Sequence, residues 1–448
     1  MRERLFIPTL SMVMIITSIV SSLGAPLIPQ MVSFYGVPLE VAQWVLTIAM
    51  LSGAVSSPLI GRFGAPGRQR RLLLICLTLV AVGLLLSALP LGFPVLLAGR
   101  ALQGIGVALA PVAMSLARDA LGAEASLPVV ASLSAALVAG VGLGYPISSL
   151  LAGFIGISGA YWVGFALAAL TMLLVRFAIP TETRGAPVVV DWLGALLLMV
   201  GSGAFLLMLS QIHGWPPLLS VAIAVSSAAL VVIWAVRSLR IGEPLIDLRL
   251  AASPNVRLAH VAIVLVGAGT YLMIPLVILA GQDERAAALP QILTGALMIP
   301  YSLVSVVGAK VAVVLRRWIP LPGLLAIGMV CYLIANGVMA LQHSNAWALI
   351  ICMGIAGMGS GFSYAVIAQM VVKAVPRTAV SSALSFNMLL RYIGFSIGSA
   401  LCPVLIELST GRLEVGEPYR VPFFAAAGCY VIGLALMLAW GRDRRAAS

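Results

Sequence analysis

The chain has 448 residues, of which 62% are hydrophobic and only 9% are charged, whereas soluble domains carry about 25% charged residues. So few charges cannot cover the surface of a soluble protein of this length, which excludes a soluble enzyme, a nucleic-acid-binding protein and a disordered chain. The net charge of +12 must be judged from where the basic residues lie, because in membrane proteins Lys and Arg placement encodes orientation.

Fourteen stretches of the chain are apolar enough to cross a membrane, which takes about 20 residues in a helix. Lipid cannot satisfy exposed backbone groups, so each stretch is predicted to be helical. The predicted spans lie near 6–28, 40–61, 71–90, 94–116, 128–154, 160–179, 191–211, 217–236, 257–280, 289–309, 321–342, 346–372, 379–406 and 421–440. Because the first stretch is long and lacks a convincing cleavage site, it is predicted to stay in the protein.

The basic residues support this count. With the N-terminus inside, 21 of the 26 Lys and Arg residues fall in segments predicted to be cytoplasmic, and only Arg285, Arg412 and Arg420 fall in outer loops. Such a bias orients a membrane protein, and one missed or extra span would scramble it. The sequence therefore predicts an all-α polytopic membrane protein with both termini in the cytoplasm. The basic excess reports topology and gives no sign of a nucleic-acid partner.

Metal and cofactor chemistry has no support in the sequence. The five cysteines lie in apolar spans without paired spacing, as buried small hydrophobic residues do. The sequence contains no HExxH, CxxC or GxxxxGK[ST] motif, and these are the patterns of zinc proteases, redox proteins and nucleotide-binding loops. We therefore expect no metal, no cofactor and no enzymatic activity.

Weak internal similarity divides the chain into two halves. The loop 61–71, GRFGAPGRQRR, resembles 308–317, GAKVAVVLRR, and Gly-Ile-Gly at 104–106 has a counterpart in Gly-Met-Gly at 357–359. Internal repeats of this kind are typical of transporters. We predict a six-span bundle over 1–180, two inserted spans with their cytoplasmic loops over 181–256, and a second six-span bundle over 257–448.

Span 4 carries a charged residue deep in an apolar helix. The segment 99–106 reads GRALQGIG, with Arg100 and, one turn later, Gln103. An arginine at the centre of a spanning helix costs about 2.5–3.5 kcal/mol on insertion scales, so it should face the bundle interior or water. Gly104 and Gly106 would allow a second helix to approach closely.

Span 5 is rich in glycine. The segment 140–149 reads GVGLGYPISS, which places Gly140 and Gly144 on one helix face. Pro146 removes a backbone donor and bends the helix. The pattern predicts a thin, kinked helix against which another helix packs or rocks, although simple packing explains the glycine spacing equally well.

These segments resemble those of the major facilitator superfamily and, within it, the fourteen-span drug:proton antiporter family. GRALQGIG is similar to the family's span-4 motif and GVGLGYPISS to its span-5 motif. The 61–71 loop resembles the motif between spans 2 and 3, but Ala65 stands where aspartate is usual. Three further segments are similar to recurrent segments of the family, namely DWLG at 191–194, EPLIDL at 243–248 and NMLLR at 387–391.

The resemblance implies proton-driven export of small organic molecules, by alternating access of two halves around a central cavity. It implies a part in proton coupling for Arg100 and ties the span-5 motif to export direction. The loop containing Gly61, Arg70 and Arg71 would help to latch the cytoplasmic side. We expect a monomer in the bacterial cytoplasmic membrane, with protons, the lipid bilayer and a small-molecule substrate as its partners.

Arg100 and Arg391 each admit two interpretations. Arg100 either responds to substrate and protons or is a structural arginine bonded to carbonyl groups and Gln103; we favour the functional interpretation, because polar residues within membranes default to function. Arg391, with Asn387 one turn earlier, either contacts an anionic or amphiphilic substrate or holds span 13 to a neighbour. For Arg391 we favour the structural interpretation.

The acidic residues do not fit a simple antiporter. None of the 14 lies at the middle of a predicted span, and segment 17–24 of span 1 offers hydroxyl groups where the family often has an aspartate. Glu40, Asp191 and Glu407 lie at span ends. Asp191 is predicted to be a helix N-cap, which leaves Glu407 as the candidate for proton coupling. Either coupling uses an unusual site, or it is less direct than the resemblance implies.

Three functions remain in competition. The first is a proton-coupled exporter of drugs or secondary metabolites, and the second is a transporter of one physiological solute, such as a lipid or a metabolite, without strict proton coupling. The third is a membrane scaffold or receptor, which would need neither the two halves nor the glycine-rich helix. The missing mid-span carboxylate favours a neutral, zwitterionic or weakly acidic amphipathic substrate.

Overall fold

The computed structural model describes residues 2–24, 27–180, 189–212, 214–284, 286–411 and 418–446. Within these ranges, the side chains of 2–4, 29, 39–40, 141–142, 145–146, 149, 291–292, 295, 410–411 and 441–446 are outside the description.

The described residues form helices joined by turns and irregular segments, and they contain no β-strand. The helices are α1 Arg2–Ser22, α2 Ile28–Tyr35, α3 Leu39–Ala42, α4 Trp44–Phe63, α5 Gln69–Ala88, α6 Phe93–Gly104, α7 Leu109–Leu121, α8 Ser126–Ala178, α9 Trp192–Ser210, α10 Pro217–Arg240, α11 Leu248–Ala251, α12 Pro254–Gln282, α13 Gln291–Ala296, α14 Met298–Leu315, α15 Leu321–Gln342, α16 Ala346–Ala374, α17 Val380–Gly411 and α18 Arg420–Ala446.

Thirteen helical segments in the described part of the chain are long and apolar enough to cross a membrane. This confirms a multi-pass, all-helical membrane protein. The predicted fifth span, 128–154, falls on the first part of α8, where Ser126–Gly140 forms a shorter apolar helix. The count of fourteen spans and the cytoplasmic location of the termini stay predictions.

Helix α8 joins the predicted fifth and sixth spans. It has 53 residues, which at about 1.5 Å per residue is far longer than a hydrocarbon core of about 30 Å. One residue inside it, Gly156, is not helical, with φ 71° and ψ 177°. Only glycine adopts this backbone region readily. The break falls between the two predicted spans.

Span 4 is not one continuous α-helix. Helix α6 ends at Gly104, a 3₁₀ turn covers Ile105–Ala108, and α7 continues from Leu109. The turn begins within the Gly-Ile-Gly segment at 104–106, for which the sequence predicted close packing. A 3₁₀ segment within a helix often marks strain or a hinge.

The chain folds into two compact units. The first comprises residues 1–253 and 371–389, and the second comprises 254–370 and 390–448. The helices of the predicted insert, α9 and α10, belong to the first unit. The predicted domain boundaries at 180 and 256 stay predictions.

The start of the insert is fixed by one carboxylate. Asp191 precedes α9 and its Oδ1 accepts a hydrogen bond of 3.0 Å from the backbone N–H of Gly194. The same oxygen accepts bonds from Nε and Nη2 of Arg237 on α10, at 3.1 and 2.9 Å. The predicted N-cap at Asp191 is confirmed, and the ion pair ties α9 to α10.

Candidate functional site

The guanidinium of Arg100 lies inside the first unit and is fully buried. Nε donates to the carbonyl of Val45 at 3.0 Å, and Nη1 donates to the carbonyl of Val20 at 2.9 Å. These carbonyls belong to α4 and α1, so Arg100 joins three helices. The contacts are those of the structural interpretation, and the part of Arg100 in proton coupling stays a prediction.

Gln103 completes this set of contacts from one turn further along α6. Its Oε1 accepts a bond of 2.8 Å from Nη1 of Arg100. Its Nε2 donates to the carbonyl of Gly83 at 3.0 Å and to Oγ of Ser87 at 2.8 Å. Gln103 therefore links the arginine to α5, and the structure brings Arg100 and Gln103 together as the sequence predicted.

The positive charge of Arg100 has no acidic partner in the described part of the chain. Its Nη2 has no hydrogen-bond partner there. The hydroxyl of Tyr161 on α8, also fully buried, likewise has none, and the two groups interact electrostatically. A buried cation held only by neutral groups costs free energy that an ion pair would partly recover. Sequence reasoning missed Tyr161, because nothing in its local sequence links it to span 4.

The motif glycines of span 4 lie where helices touch. A side chain at Gly104 would collide with Oγ of Ser52 and the carbonyl of Ala49 on α4, and one at Gly106 would lie 2.8 Å from Cγ2 of Val80. These contacts match the close approach predicted for both glycines. Their part in a conformational change stays a prediction.

The span-5 glycines pack on the hydroxyl-bearing side chains of span 1. A side chain at Gly140 would collide with Ser18, and one at Gly144 would collide with Ser22. Helices α1 and α8 therefore meet at small residues on both sides, which is a common way to pack spanning helices. Pro146 lies in α8, but its side chain is outside the described residues.

The loop motif after α4 also sits at a close contact. A side chain at Gly61 would collide with Ser385, which belongs to the same unit. Arg70 is buried and donates from Nη2 to the carbonyl of Arg176 at 2.6 Å, whereas Arg71 is exposed. The latching role of Gly61, Arg70 and Arg71 stays a prediction.

The remaining predicted site residues share helix α17. Asn387 is buried and belongs to the first unit, whereas Arg391 is half-buried and belongs to the second. Glu407 lies near the C-terminal end of the helix with an exposed side chain. The role of Glu407 in proton coupling stays a prediction.

The described carboxylates that form ion pairs lie at helix ends or in loops. Asp119 pairs with Arg377 at 2.7 Å, and also accepts a hydrogen bond from Gln69. Other ion pairs join Glu243 to Arg62, Glu124 to Lys373 and Asp191 to Arg237. Each of these carboxylates is thus neutralised by a basic side chain, in contrast to Arg100, whose contacts are with neutral groups.

A cluster of buried tyrosines occupies the second unit, and it was not predicted from the sequence. Tyr301 and Tyr332 have hydroxyls 3.1 Å apart, and Thr270 donates to the Tyr332 hydroxyl at 3.1 Å. The ring of Tyr332 stacks on Tyr430 at 4.6 Å between centroids. Helices α12, α14, α15 and α18 each contribute one member, and we call Thr270, Tyr301, Tyr332 and Tyr430 the tyrosine cluster.

Outside the spans, Tyr419 bonds to a carboxylate. Its hydroxyl donates to Oδ2 of Asp283 at 2.8 Å, just ahead of α18. Burial of the phenol raises the pKa of Tyr419, and the neighbouring Asp283 carboxylate raises it further. The hydroxyl therefore stays protonated over the physiological pH range.

Known proteins resemble this chain in sequence and in fold. A triacylglyceride transporter of Mycolicibacterium hassiacum is 31% identical over 163 residues, which are 36% of this chain and 30% of that protein. An uncharacterised MFS-type transporter of Mycobacterium tuberculosis is 26% identical over 400 residues, or 84% of this chain and 65% of that protein. The chain thus matches less than two thirds of the length of either relative.

Two further comparisons cover nearly the whole chain. The crystal structure of the human organic anion transporter MFSD10 (TETRAN) has a TM-score of 0.71, with 15% identity, over 97% of this chain and 99% of that one. At this identity the likeness concerns the fold alone. The family model described as Major Facilitator Superfamily matches residues 10–279 and 258–448. The chain therefore belongs to the Major Facilitator Superfamily.

Proposed function

We propose that this chain is a secondary active transporter that exports small organic or amphipathic molecules across the bacterial cytoplasmic membrane. In this proposal, protons flow inward in exchange, and the protein works by alternating access as a monomer in the bilayer. Membership of the superfamily supports transport, and the span-4 and span-5 motifs support export by antiport. Relatives from mycobacteria support the bacterial membrane.

The observation that carries the proposal is the uncompensated charge of Arg100. Its fully buried guanidinium has neutral partners only and one nitrogen without a partner among the described residues. A static scaffold gains nothing from a charge that costs this much to bury. A transporter uses such a group, because the energy of the site changes when an anion arrives or a proton moves.

A second candidate function is transport of one lipid or lipid-like metabolite without strict proton coupling. Two observations favour it. The relatives named triacylglyceride transporters match 36% of this chain, and the ion-paired carboxylates described above lie at helix ends. Proton antiport usually needs a carboxylate that changes its charge within the membrane.

Flux measurements in vesicles separate the two candidates. The purified chain is reconstituted in liposomes with an imposed pH gradient, and a panel of a lipophilic cation, an organic anion, a fatty acid and a triacylglycerol is tested while the luminal pH is recorded. Antiport predicts flux of an amphipathic solute together with proton counterflow, and a protonophore should stop both.

Arg100→Lys provides the matched variant, because lysine keeps the charge but loses the planar fork that bonds Val45, Val20 and Gln103. We expect it to lose at least about tenfold in flux, the effect of removing a charged hydrogen bond. Flux of a single solute that is unaffected by collapse of the gradient would establish the second candidate. If no solute in the panel moves, transport itself is contradicted.

A further inference from the structure

Arg391 lies among aromatic rings in the second unit. Its Cζ is 5.4 Å from the ring centroid of Tyr364, 5.9 Å from that of Tyr392 and 5.4 Å from that of Phe395. These rings come from α16 and from α17 itself. Such contacts stabilise a guanidinium through the negative faces of the rings, and among the described residues no carboxylate forms an ion pair with Arg391.

The hydrogen-bonding capacity of Arg391 is not used up by this arrangement. Its Nε is buried and has no hydrogen-bond partner in the described part of the chain. Arg237, by comparison, directs both Nε and Nη2 at Asp191. A guanidinium carries five N–H donors in a planar fork that matches a carboxylate or a phosphate, and aromatic faces do not satisfy donors in that plane.

Two neutral tyrosine side chains interact with the same charge. Arg391 interacts electrostatically with Tyr301 and Tyr364, and Tyr301 is bonded through Tyr332 to Thr270. Phenol and threonine hydroxyls can donate to an anion or accept from a neutral group, and they add no charge. The positive charge of Arg391 therefore determines the sign of the ligand that is stabilised here.

An apolar surface adjoins the guanidinium. The ring of Phe395 stacks on Tyr271 with centroids 3.8 Å apart, and it meets Tyr392 edge-on at 5.5 Å. Phe395 and Tyr392 are almost completely buried, whereas Arg391 is only half-buried. A charged end and an apolar wall therefore occur side by side, which suits a molecule with an acidic head and a hydrocarbon body.

We propose that Arg391, with Tyr364, Tyr392 and Phe395, forms the binding site for the acidic head of an amphipathic substrate, such as a carboxylate or a phosphate on a hydrocarbon chain. This inference rests on the proposed transport function and names its substrate class. A lipophilic cation is repelled by the arginine, and a neutral ester leaves the planar donors without a charged acceptor. The site therefore selects acids over esters and cations of equal chain length.

Binding to the full chain in phosphatidylcholine nanodiscs tests this site. Radiolabelled dodecanoate is the probe, and dodecyl phosphate, methyl dodecanoate, dodecyltrimethylammonium and acetate are the competitors. We expect dodecyl phosphate to compete as well as dodecanoate does. The ester and the cation should compete at least about tenfold more weakly, because hydrogen bonds to charged groups are the strong ones. Acetate should not compete, because it has no chain to bind the apolar wall.

Three variants assign the selectivity to the arginine. Arg391→Gln should remove most of the preference for acid over ester, because it weakens binding of the acid more than binding of the ester. Arg391→Lys keeps the charge and should retain a reduced preference for acid over ester. This variant still tests the site if Arg391→Gln fails to fold. Arg317→Gln removes an exposed cation of the same unit and should behave like the wild type.

Two results would overturn the site. One is equal competition by the ester and the acid in the wild type, and the other is full acid preference in Arg391→Gln. Flux measured on the same preparations keeps this failure separate from failure of the transport function. Flux of neutral solutes without acid preference contradicts the site alone, whereas absence of any flux contradicts transport.

Discussion

Arg100 and Gln103, one turn apart on α6, are joined by a hydrogen bond of 2.8 Å from Nη1 to Oε1. The glutamine is thus the one side-chain acceptor for a fully buried arginine in the described part of the chain. Gln103→Leu would remove this acceptor and the bonds to Gly83 and Ser87. Leaving a buried donor unsatisfied costs about 1–3 kcal/mol, and more for a charged group.

We therefore expect Gln103→Leu to lower the thermal unfolding midpoint of the detergent-purified protein clearly. Gln342→Leu changes an exposed glutamine at the end of α15 and should leave the midpoint near that of the wild type. An unchanged midpoint in Gln103→Leu would show that the hydrogen bond from Arg100 to this amide does not contribute to stability.

Gly140→Ala should separate α8 from α1. A methyl group at this position would collide with Oγ of Ser18 and lie 2.7 Å from its Cβ, so we expect a lower unfolding midpoint. Ser18→Gly in the same chain should restore the midpoint by removing the obstacle. Gly153→Ala is the matched control on the same helix, because nothing lies within 4 Å of its side-chain position. Equal effects at positions 140 and 153 would mean that the contact with Ser18 is unimportant.

Asp191 combines a helix cap with an ion pair, and two substitutions separate them. Asparagine keeps the cap but loses the charge, whereas alanine loses both. Because a cap is worth about 1 kcal/mol, Asp191→Ala should be less stable than Asp191→Asn by about that amount in chemical unfolding. Asn and Ala variants of equal stability would contradict the role of the cap. A matched control is Glu124→Gln, whose ion pair with Lys373 is exposed and should contribute little.

Tyr419 should contribute to the alkaline stability limit. Its pKa is raised by burial and by Asp283, so the folded state favours the protonated phenol. That contribution is fully present below the ordinary tyrosine pKa of about 10 and is lost as the pH rises above it. Tyr419→Phe should be less stable near neutral pH but should lose stability less steeply between about pH 9 and 11. Thermal unfolding over this range measures the difference, and parallel slopes would contradict the assignment.

Features that depend on local sequence were predictable. Apolar runs long enough to span a membrane gave the helices, and Asp191 ahead of an apolar run gave the N-cap. The pairing of Arg100 with Gln103 followed from their spacing of one helical turn. Each of these depends on residues near each other in the sequence.

The tyrosine cluster depends on residues far apart in the sequence. Tyr301, Tyr332 and Tyr430 lie on three helices, and no motif links them. One signal was present, since Tyr332 and Tyr430 fall near the middle of apolar helices, whereas tyrosine in membrane proteins favours the interface. The role of Ser18 was misjudged for a related reason. We considered its hydroxyl in the context of a missing aspartate, whereas its small size is what accommodates Gly140.

The single non-helical residue at Gly156 also bears on how the protein enters the membrane during synthesis. The two predicted crossings of α8 are joined there without a charged residue nearby, and Phe154 and Ile155 are exposed apolar residues. Neither crossing has a basic anchor of its own at the junction. We therefore expect the two crossings to insert as a pair, oriented by the basic residues Arg118 before the pair and Arg176 at its end.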